Sequence, residues 1–320
     1  MKLHRAVAGL ALALVAAGSA AQSYPSKPIK FIVPFPPGGG TDLMARTVAA
    51  RLAEQKKWVI VVDNKPGAGG NIGVDIAAKA APDGYTIVIG QTSNLAINPT
   101  LYPKLPYDPL KNLAPIVLVG SGPLAIVVRA DSRFKTLDDL LREGKANPGK
   151  ITFASPGNGT VAHLTGVRLQ NITGARFEHI PYKGASGAIT DLLGGNVDFF
   201  VSSLPTLQSH VAGGRLRALA VTSPKRSPIV PQVPTAGETV KGFETNTWFG
   251  LLAPAGTPNA VISLLNSEIN QVLKDPGARK TIESEGGEVL GGTPEQFRQV
   301  IADDIAAWAP VVKSSGAKID

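Results

Sequence analysis

Pro37-Gly38-Gly39-Gly40-Thr41 and Pro156-Gly157-Asn158-Gly159-Thr160 share the order Pro-Gly-x-Gly-Thr, and each stands between an apolar run and a helix-periodic stretch. Glycines let successive backbone N–H groups point to one side with no Cβ in the way, and Thr is a good helix N-cap. The first N–H groups of a helix lack intrahelical partners and lie at the positive end of the helix dipole, so such a loop suits an anion. A carboxylate accepts about four hydrogen bonds, which convergent N–H groups can supply. One such loop is a common structural turn; a second of the same pattern favours function. Two of them on facing lobes would grip a molecule with two acidic ends, or with one carboxylate and a polar group.

Other residues fall at the same kind of position. Pro181-Tyr182-Lys183-Gly184-Ala185-Ser186 is a third strand-to-helix turn, in which Lys183 could add charge and Tyr182 a hydroxyl and a flat wall. A solvated Lys and a packing Tyr read equally well. Gly90-Gln91-Thr92-Ser93-Asn94 follows a strand and brings Thr92 and Asn94 to the same sheet edge. Phe35, Thr92 and Tyr182 would set pocket size. His163 lies one turn into the helix after the second loop and either touches a ligand or packs. Asp198 opens a strand near the third turn and could accept from ligand or water, or cap the turn.

Much chemistry is absent. Cysteine is missing altogether, which removes disulfides, thiolate nucleophiles and cysteine metal sites. His163, His179 and His210 show no metal spacing, so no metal and no cofactor are expected. No Gly-x-Ser-x-Gly elbow occurs: Phe153 stands where Ser155 would need a Gly, and Ser186 lacks the final Gly. A nucleotide-dependent enzyme is the rival reading, since strand, Gly loop, helix, strand and Asp63 mimic a dinucleotide fold. Leu43 occupies the place of its third glycine, however, and no Gly-Lys-Ser/Thr phosphate loop exists.

These residues need a frame of strands and helices. Ile29 to Phe35, Trp58 to Val62 and Tyr85 to Ile89 read as apolar strands alternating with helices from Thr41 and around Gly73 to Ala81. This is a β-α-β-α-β start with a parallel sheet covered on both faces. Ile116 to Val119 and Leu124 to Val128 are two apolar runs around Gly120-Ser121-Gly122-Pro123. A second unit follows, with strands Ile151 to Ala154, Phe177 to Pro181, Val197 to Val201 and Leu216 to Val221. Helices from Thr160 and over Ala185 to Leu193 separate them. The Pro-rich stretch Ser223 to Pro234 reads as a connection, then Trp248 to Ala253 as a strand before helices over Pro258 to Leu273 and Pro294 to Lys313. The pattern predicts two α/β lobes, each a mainly parallel sheet flanked by helices. Residues 22–123 and 224–320 form lobe 1, and residues 124–223 form lobe 2.

Lys2, His4 and Arg5, the uncharged run Ala6 to Ala17 and the small residues Gly18-Ser19-Ala20-Ala21 have the three parts of a secretory signal, cut between Ala21 and Gln22. The run is too short to span a membrane, which takes ~20 residues. The 320 residues are 43% hydrophobic and 18% charged, enough for a folded core. The net charge of +8 has no basic stripe, so nucleic acid is not an expected partner. A diffuse positive field suits small anions.

The run Tyr24-Pro-Ser-Lys-Pro-Ile-Lys-Phe-Ile-Val-Pro-Phe-Pro-Pro-Gly-Gly-Gly-Thr-Asp42 resembles the mature start of Bug-type receptors, the extracytoplasmic substrate-binding proteins of tripartite tricarboxylate transporters. Further matches are Asn64-Lys-Pro-Gly-Ala-Gly-Gly-Asn-Ile-Gly73, Asn98-Pro99, Phe153-Ala-Ser-Pro-Gly-Asn-Gly-Thr160 with His163, Pro181-Tyr-Lys-Gly184, Asp191-Leu-Leu-Gly-Gly-Asn-Val-Asp198, Trp248-Phe-Gly250 and Pro254-Ala-Gly-Thr-Pro258. The resemblance implies a two-lobed periplasmic binding protein (flytrap) fold that closes on its ligand. It implies one jaw of Phe35 and Gly38, Gly39, Gly40, Thr41 and Asp42. The other would hold Ser155, Gly157, Asn158, Gly159 and Thr160 with Tyr182, Lys183, Gly184 and Ala185, with Asp198 near bridging waters. The implied protein is a periplasmic monomer that binds a small organic carboxylate and hands it to membrane permease subunits. A ligand sensor feeding a sensor kinase is the alternative role.

Overall fold

A computed structural model describes residues 24–284 and 286–317. The expected leader over residues 1–21 lies outside the described residues. Strands β1 (Ile29–Val33), β2 (Ile60–Asn64) and β3 (Thr86–Gln91) are parallel, in the order β2-β1-β3. Helix α1 (Gly40–Lys56) covers one sheet face and α2 (Asn71–Ala78) the other. The alternation within β1 explains this: Ile29, Phe31 and Val33 pack with Met44, Val48 and Leu52 of α1, whereas Ile32 packs with Val74 and Ala77 of α2.

β4 (Leu113–Arg129) joins the two apolar runs into one 17-residue strand. Up to Pro123 it pairs antiparallel with β9 (Asn246–Pro254); from Leu124 on it pairs with β7 (Phe199–Ser203) and β8 (Leu216–Val221). Pro123, which has no N–H to give, sits where the partners change. Leu124 N–H then donates to Thr222 Oγ1 at 2.9 Å. β5 (Ile151–Ser155) and β6 (Phe177–Pro181) complete the second half in the order β4-β7-β5-β6, and a short β10 (Glu288–Val289) borders β4 in the first. Each half is therefore mixed: three parallel strands, extended by antiparallel pairs with the linking strands.

The second half carries α3 (Leu137–Ala146), α4 (Val161–Thr173), α5 (Ala185–Gly194) and α6 (Leu204–Ala212). The chain then returns through α7 (Asn259–Lys274), α8 (Pro276–Ser284) and α9 (Pro294–Ser315). Helices α6 and α8 lie outside the expected pattern. Each has a proline in its opening turn, where the missing N–H costs no helical bond. One apolar cluster continues from Ile32 and Val88 through Phe297 and Trp308 of α9 to Phe153 and Phe199, so α9 helps tie the halves together.

The pairing directions decide where loops meet. β1 and β3 run the same way as β4, towards the second half; β5, β6 and β7 run against it, towards the first. The carboxyl ends of both parallel sets thus face each other along β4. Gln91, the last residue of β3, is level with Gly120 through Phe249, while Ser203 is level with Leu124. Four residue steps along β4 separate them, about 13 Å.

Candidate binding site between facing strand ends

The first Gly loop follows β1. Gly39 is the N-cap of α1, in extended conformation and with no side-chain cap, so Thr41 lies inside the helix and does not cap it. The opening N–H groups of α1 are left without intrahelical partners. Beneath them the Asp42 carboxylate, 3% exposed, accepts from Gly38 N–H (3.0 Å), Arg46 Nε (2.8 Å) and Asn64 Nδ2 (3.0 Å). Burial would raise its pKa, but these bonds outweigh that and hold it below the usual carboxylate value. Asp42 is therefore an ionised strut under the loop, already saturated, and Gly38 has spent its N–H on it. Asn64 also donates to Phe35 O at 3.0 Å.

The second Gly loop follows β5 and is wired without charge. Thr160 caps α4: its Oγ1 accepts from His163 N–H (3.3 Å) and donates to Gly157 O (2.7 Å). Ser155 Oγ donates to Gly157 O at 3.0 Å and lies 2.8 Å from His179 Nε2. Gly159, at φ +72°, donates its N–H to His163 Nδ1 at 3.1 Å. His163 is 2% exposed and stacks on His179. Burial, then the neighbouring His179, lowers the His163 pKa to about 3; burial lowers His179 to about 4. Asn158 lies between these anchors.

The third turn is fastened to the second. Tyr182 N–H donates to Ser155 O (3.1 Å) and Gly184 N–H to Pro156 O (2.8 Å), which ties Tyr182–Ala185 to the start of the Ser155–Thr160 loop. Gly184, at φ +106°, is the N-cap of α5 and leaves that helix start uncapped, beside the exposed Lys183. Lys183 makes no hydrogen bond or ion pair with any described residue. The Tyr182 hydroxyl donates to Asp191 Oδ2 at 2.6 Å, so it is committed within its own turn. Burial, then that bond, raises its pKa to about 12.

Two further positions sit at the β3 end. Thr92 is fully buried; its Oγ1 accepts from Trp248 N–H at 3.0 Å and so ties β3 to β9. Asn94 Oδ1 accepts from Gln91 N–H at 2.9 Å, while its Nδ2 is buried with no hydrogen-bond partner among the described residues. A Cβ on Gly70 would stand 2.7 Å from that Nδ2 and 2.9 Å from the Phe35 ring, so Phe35, Asn94 and Gly70 meet at one point. Asp198 is not brought to the loops. It is level with Thr152, three residues before Ser155, and its Oδ2 accepts from Thr152 N–H (2.9 Å) and Thr152 Oγ1 (3.0 Å). It closes the far end of β5.

Sequence reasoning missed His179, whose signal was an interior-facing imidazole on the strand that leads into Tyr182. It also missed the Arg46 and Asn64 contacts that fix Asp42. Among the described residues no group of three His, Asp or Glu side chains could hold a metal ion, and no helix is long and apolar enough to cross a membrane.

Comparison with known proteins gives a consistent set of relatives. A family model described as "Tripartite tricarboxylate transporter family receptor" matches residues 44–317. Protein BugT of Bordetella pertussis is 42% identical over 312 residues, covering 97% of this chain and 96% of BugT. The solved structure of periplasmic binding protein BugD is 36% identical, with a TM-score of 0.78 over 92% of this chain and 99% of that one. The structure "R. palustris Rpa4515 with adipate" is 32% identical, with a TM-score of 0.82 over 92% of this chain and 100% of that one. These similarities establish the α/β periplasmic binding protein fold.

Proposed function

Because the chain belongs to the tripartite tricarboxylate transporter receptor family, a family of solute-binding receptors rather than enzymes, we propose that it captures a small organic dicarboxylate between its two halves in the periplasm and delivers it to a membrane permease. The observation that carries the ligand class is electrostatic. The uncapped starts of α1 and α5 stand at the carboxyl ends of β1 and β6, which point towards each other, and Lys183, unpaired among the described residues, lies beside one of them. Each helix start offers N–H donors and a partial positive charge. The one carboxylate within the first loop, Asp42, is already neutralised by Arg46. One acidic group would sit on Gly39 to Thr41, with Phe35 as a wall; the other would sit by Lys183, Ala185 and the Gly157–Thr160 loop. A relative bound to adipate supports a ligand with two acidic ends.

The two lobes would be residues 22–123 with 224–320, and residues 124–223, moving about the change of partner in β4. For closure the ligand must touch both lobes at once, since it shifts the open–closed balance only by its differential affinity for the two states. The leader over residues 1–21 would carry the chain out of the cytoplasm as a monomer.

A thermal-shift screen of residues 22–320, refolded to strip bound ligand, tests the reading with mono-, di- and tricarboxylates, amino acids and aromatic acids. At about 100 times Kd a ligand stabilises by about 2.7 kcal/mol. The expected result is a raised melting temperature with a dicarboxylate. A shift with none of the acids overturns the proposal.

A further inference from the structure

Two histidines lie flat against each other under the second loop. The His163 and His179 ring centroids are 3.8 Å apart with planes at 6°, and the Phe153 ring lies 4.6 Å from that of His179. They come from α4 and β6, 16 residues apart in sequence, and are brought together because β5 and β6 pair with Phe153 opposite His179. Their hydrogen bonds go to opposite ends of the same loop. His179 Nε2 reaches Ser155 Oγ at its start, and His163 Nδ1 receives the Gly159 N–H near its end.

An imidazole nitrogen accepts a hydrogen bond only when it carries no proton, so His163 is neutral and has its proton on Nε2. Two stacked imidazolium ions at 3.8 Å in a buried site would repel strongly, so the stack excludes double protonation and agrees with a neutral His163. Among the described residues the titratable group acting on His163 is His179. β5 and β7 present Phe153 and Phe199 to the cluster, and on α9 the half-buried Asp304 is bonded to Trp248 Nε1. Burying two imidazoles costs more desolvation than burying aliphatic side chains of the same size. What the pair secures is the loop: with Gly159 N–H turned inward at φ +72°, the backbone is fixed in the left-handed region just before the Thr160 cap.

We propose that His163 is a positioning residue of the binding site, whose Nδ1 lone pair holds the Gly159 N–H inside the second loop and so sets the shape that receives the acidic ligand. The proposal rests on the receptor reading above for its consequence, though not for the bond itself. Asn at position 163 would present its Oδ1 near the place of the imidazole Nδ1. Gln carries its amide one atom further out, near the place of Nε2, and cannot serve the Gly159 N–H in the same way.

The test compares wild type, His163→Asn and His163→Gln as residues 22–320 at pH 7, by two measurements. Amide hydrogen exchange of Gly159 in ligand-free protein reads the bond, and titration with adipate reads the consequence. In His163→Gln, Gly159 exchange should quicken by about tenfold or more and adipate affinity should fall by a similar factor, the loss of one buried hydrogen bond. His163→Asn should stay within about threefold of wild type in both. A Gln variant that keeps Gly159 protected overturns the proposal, whichever acids bind. So does an Asn variant that keeps Gly159 protected yet loses affinity as badly as Gln, because His163 would then touch the ligand directly. Failure of the dicarboxylate reading looks different: wild type itself would not bind adipate, while the exchange result would still decide the His163–Gly159 bond.

Discussion

The two Gly loops share a motif and differ in how they are held. At Gly38–Thr41 the strut is an ionised carboxylate, Asp42, pinned by Arg46 and Asn64, and the helix above it starts without a cap. At Gly157–Thr160 the supports are neutral: a threonine cap, a serine hydroxyl and two stacked imidazoles. The contrast teaches that Pro-Gly-x-Gly-Thr specifies a strand-to-helix turn but not its wiring. A buried negative charge beneath the first loop tightens its backbone and neutralises Arg46. The second loop keeps its own support uncharged, so that Lys183 beside it remains without a partner among the described residues.

The largest effect that separates the loops should come from valine at their left-handed glycines. Gly159→Val forces a β-branched residue to φ +72°, a strain of about 1–3 kcal/mol, and should cost about ten- to a hundredfold in ligand affinity by titration while the circular dichroism spectrum stays native. Gly38→Val, at φ +85°, meets similar backbone strain, but its N–H is anchored by a charge-assisted bond to Asp42 rather than a neutral one to His163, so it should cost less. Equal losses would erase the distinction.

Next, Asp42→Ala strands Gly38 N–H, Asn64 and Arg46 together. Because Arg46 is half exposed, the expected loss is about 2 kcal/mol in chemical denaturation, below that of a fully buried pair.

Acid should sharpen the comparison. His163 and His179 sit at about 3 and about 4 when folded against 6.5 when exposed, so the unfolded chain takes up protons first. Their contribution to stability is whole above about pH 6.5 and is lost as pH falls through the window towards 4 and 3. Asp42, also lowered, contributes fully above 3.8 and loses that contribution only below it. Melting temperature should therefore decline between pH 6.5 and 4 in wild type and in Asp42→Asn, with a shallower slope in His179→Gln. The same slope in all three would refute the imidazole wiring.

Smaller effects belong to the third turn. Lys183→Ala should weaken acid binding about threefold at low salt and hardly at all at high salt, as expected for an exposed charge. Tyr182→Phe should change affinity less than about twofold, because its hydroxyl already serves Asp191.

Much of this was legible in the residues. The strand–loop–helix order placed β1, β5 and β6 and their turns within two residues, since apolar runs followed by Gly and Pro leave few options. Other features depended on pairing, which sequence spacing does not carry. Gly120-Ser121-Gly122-Pro123 reads as a break, yet β9 lies alongside and carries β4 through it. Asp198 is near the third turn in sequence but level with Thr152 in register, so it falls at the far end of the strand. Tyr182 reads as offering a hydroxyl and Thr92 as setting pocket size, yet the Tyr182 hydroxyl is committed to Asp191 and the Thr92 hydroxyl to Trp248 N–H. His179 carried no recognisable motif because its partners, Ser155 and His163, reach it only through the β5–β6 pairing.

The central claim, that facing helix starts and Lys183 read negative charge at both ends of the ligand, is tested most directly by titrating wild-type residues 22–320 with adipate and with its diamide. The two have the same length and shape and differ in charge. The account predicts that the diacid binds at least about tenfold more tightly, as charge-assisted hydrogen bonds exceed neutral ones. Equal affinity for the two, or tighter binding of the diamide, would contradict it.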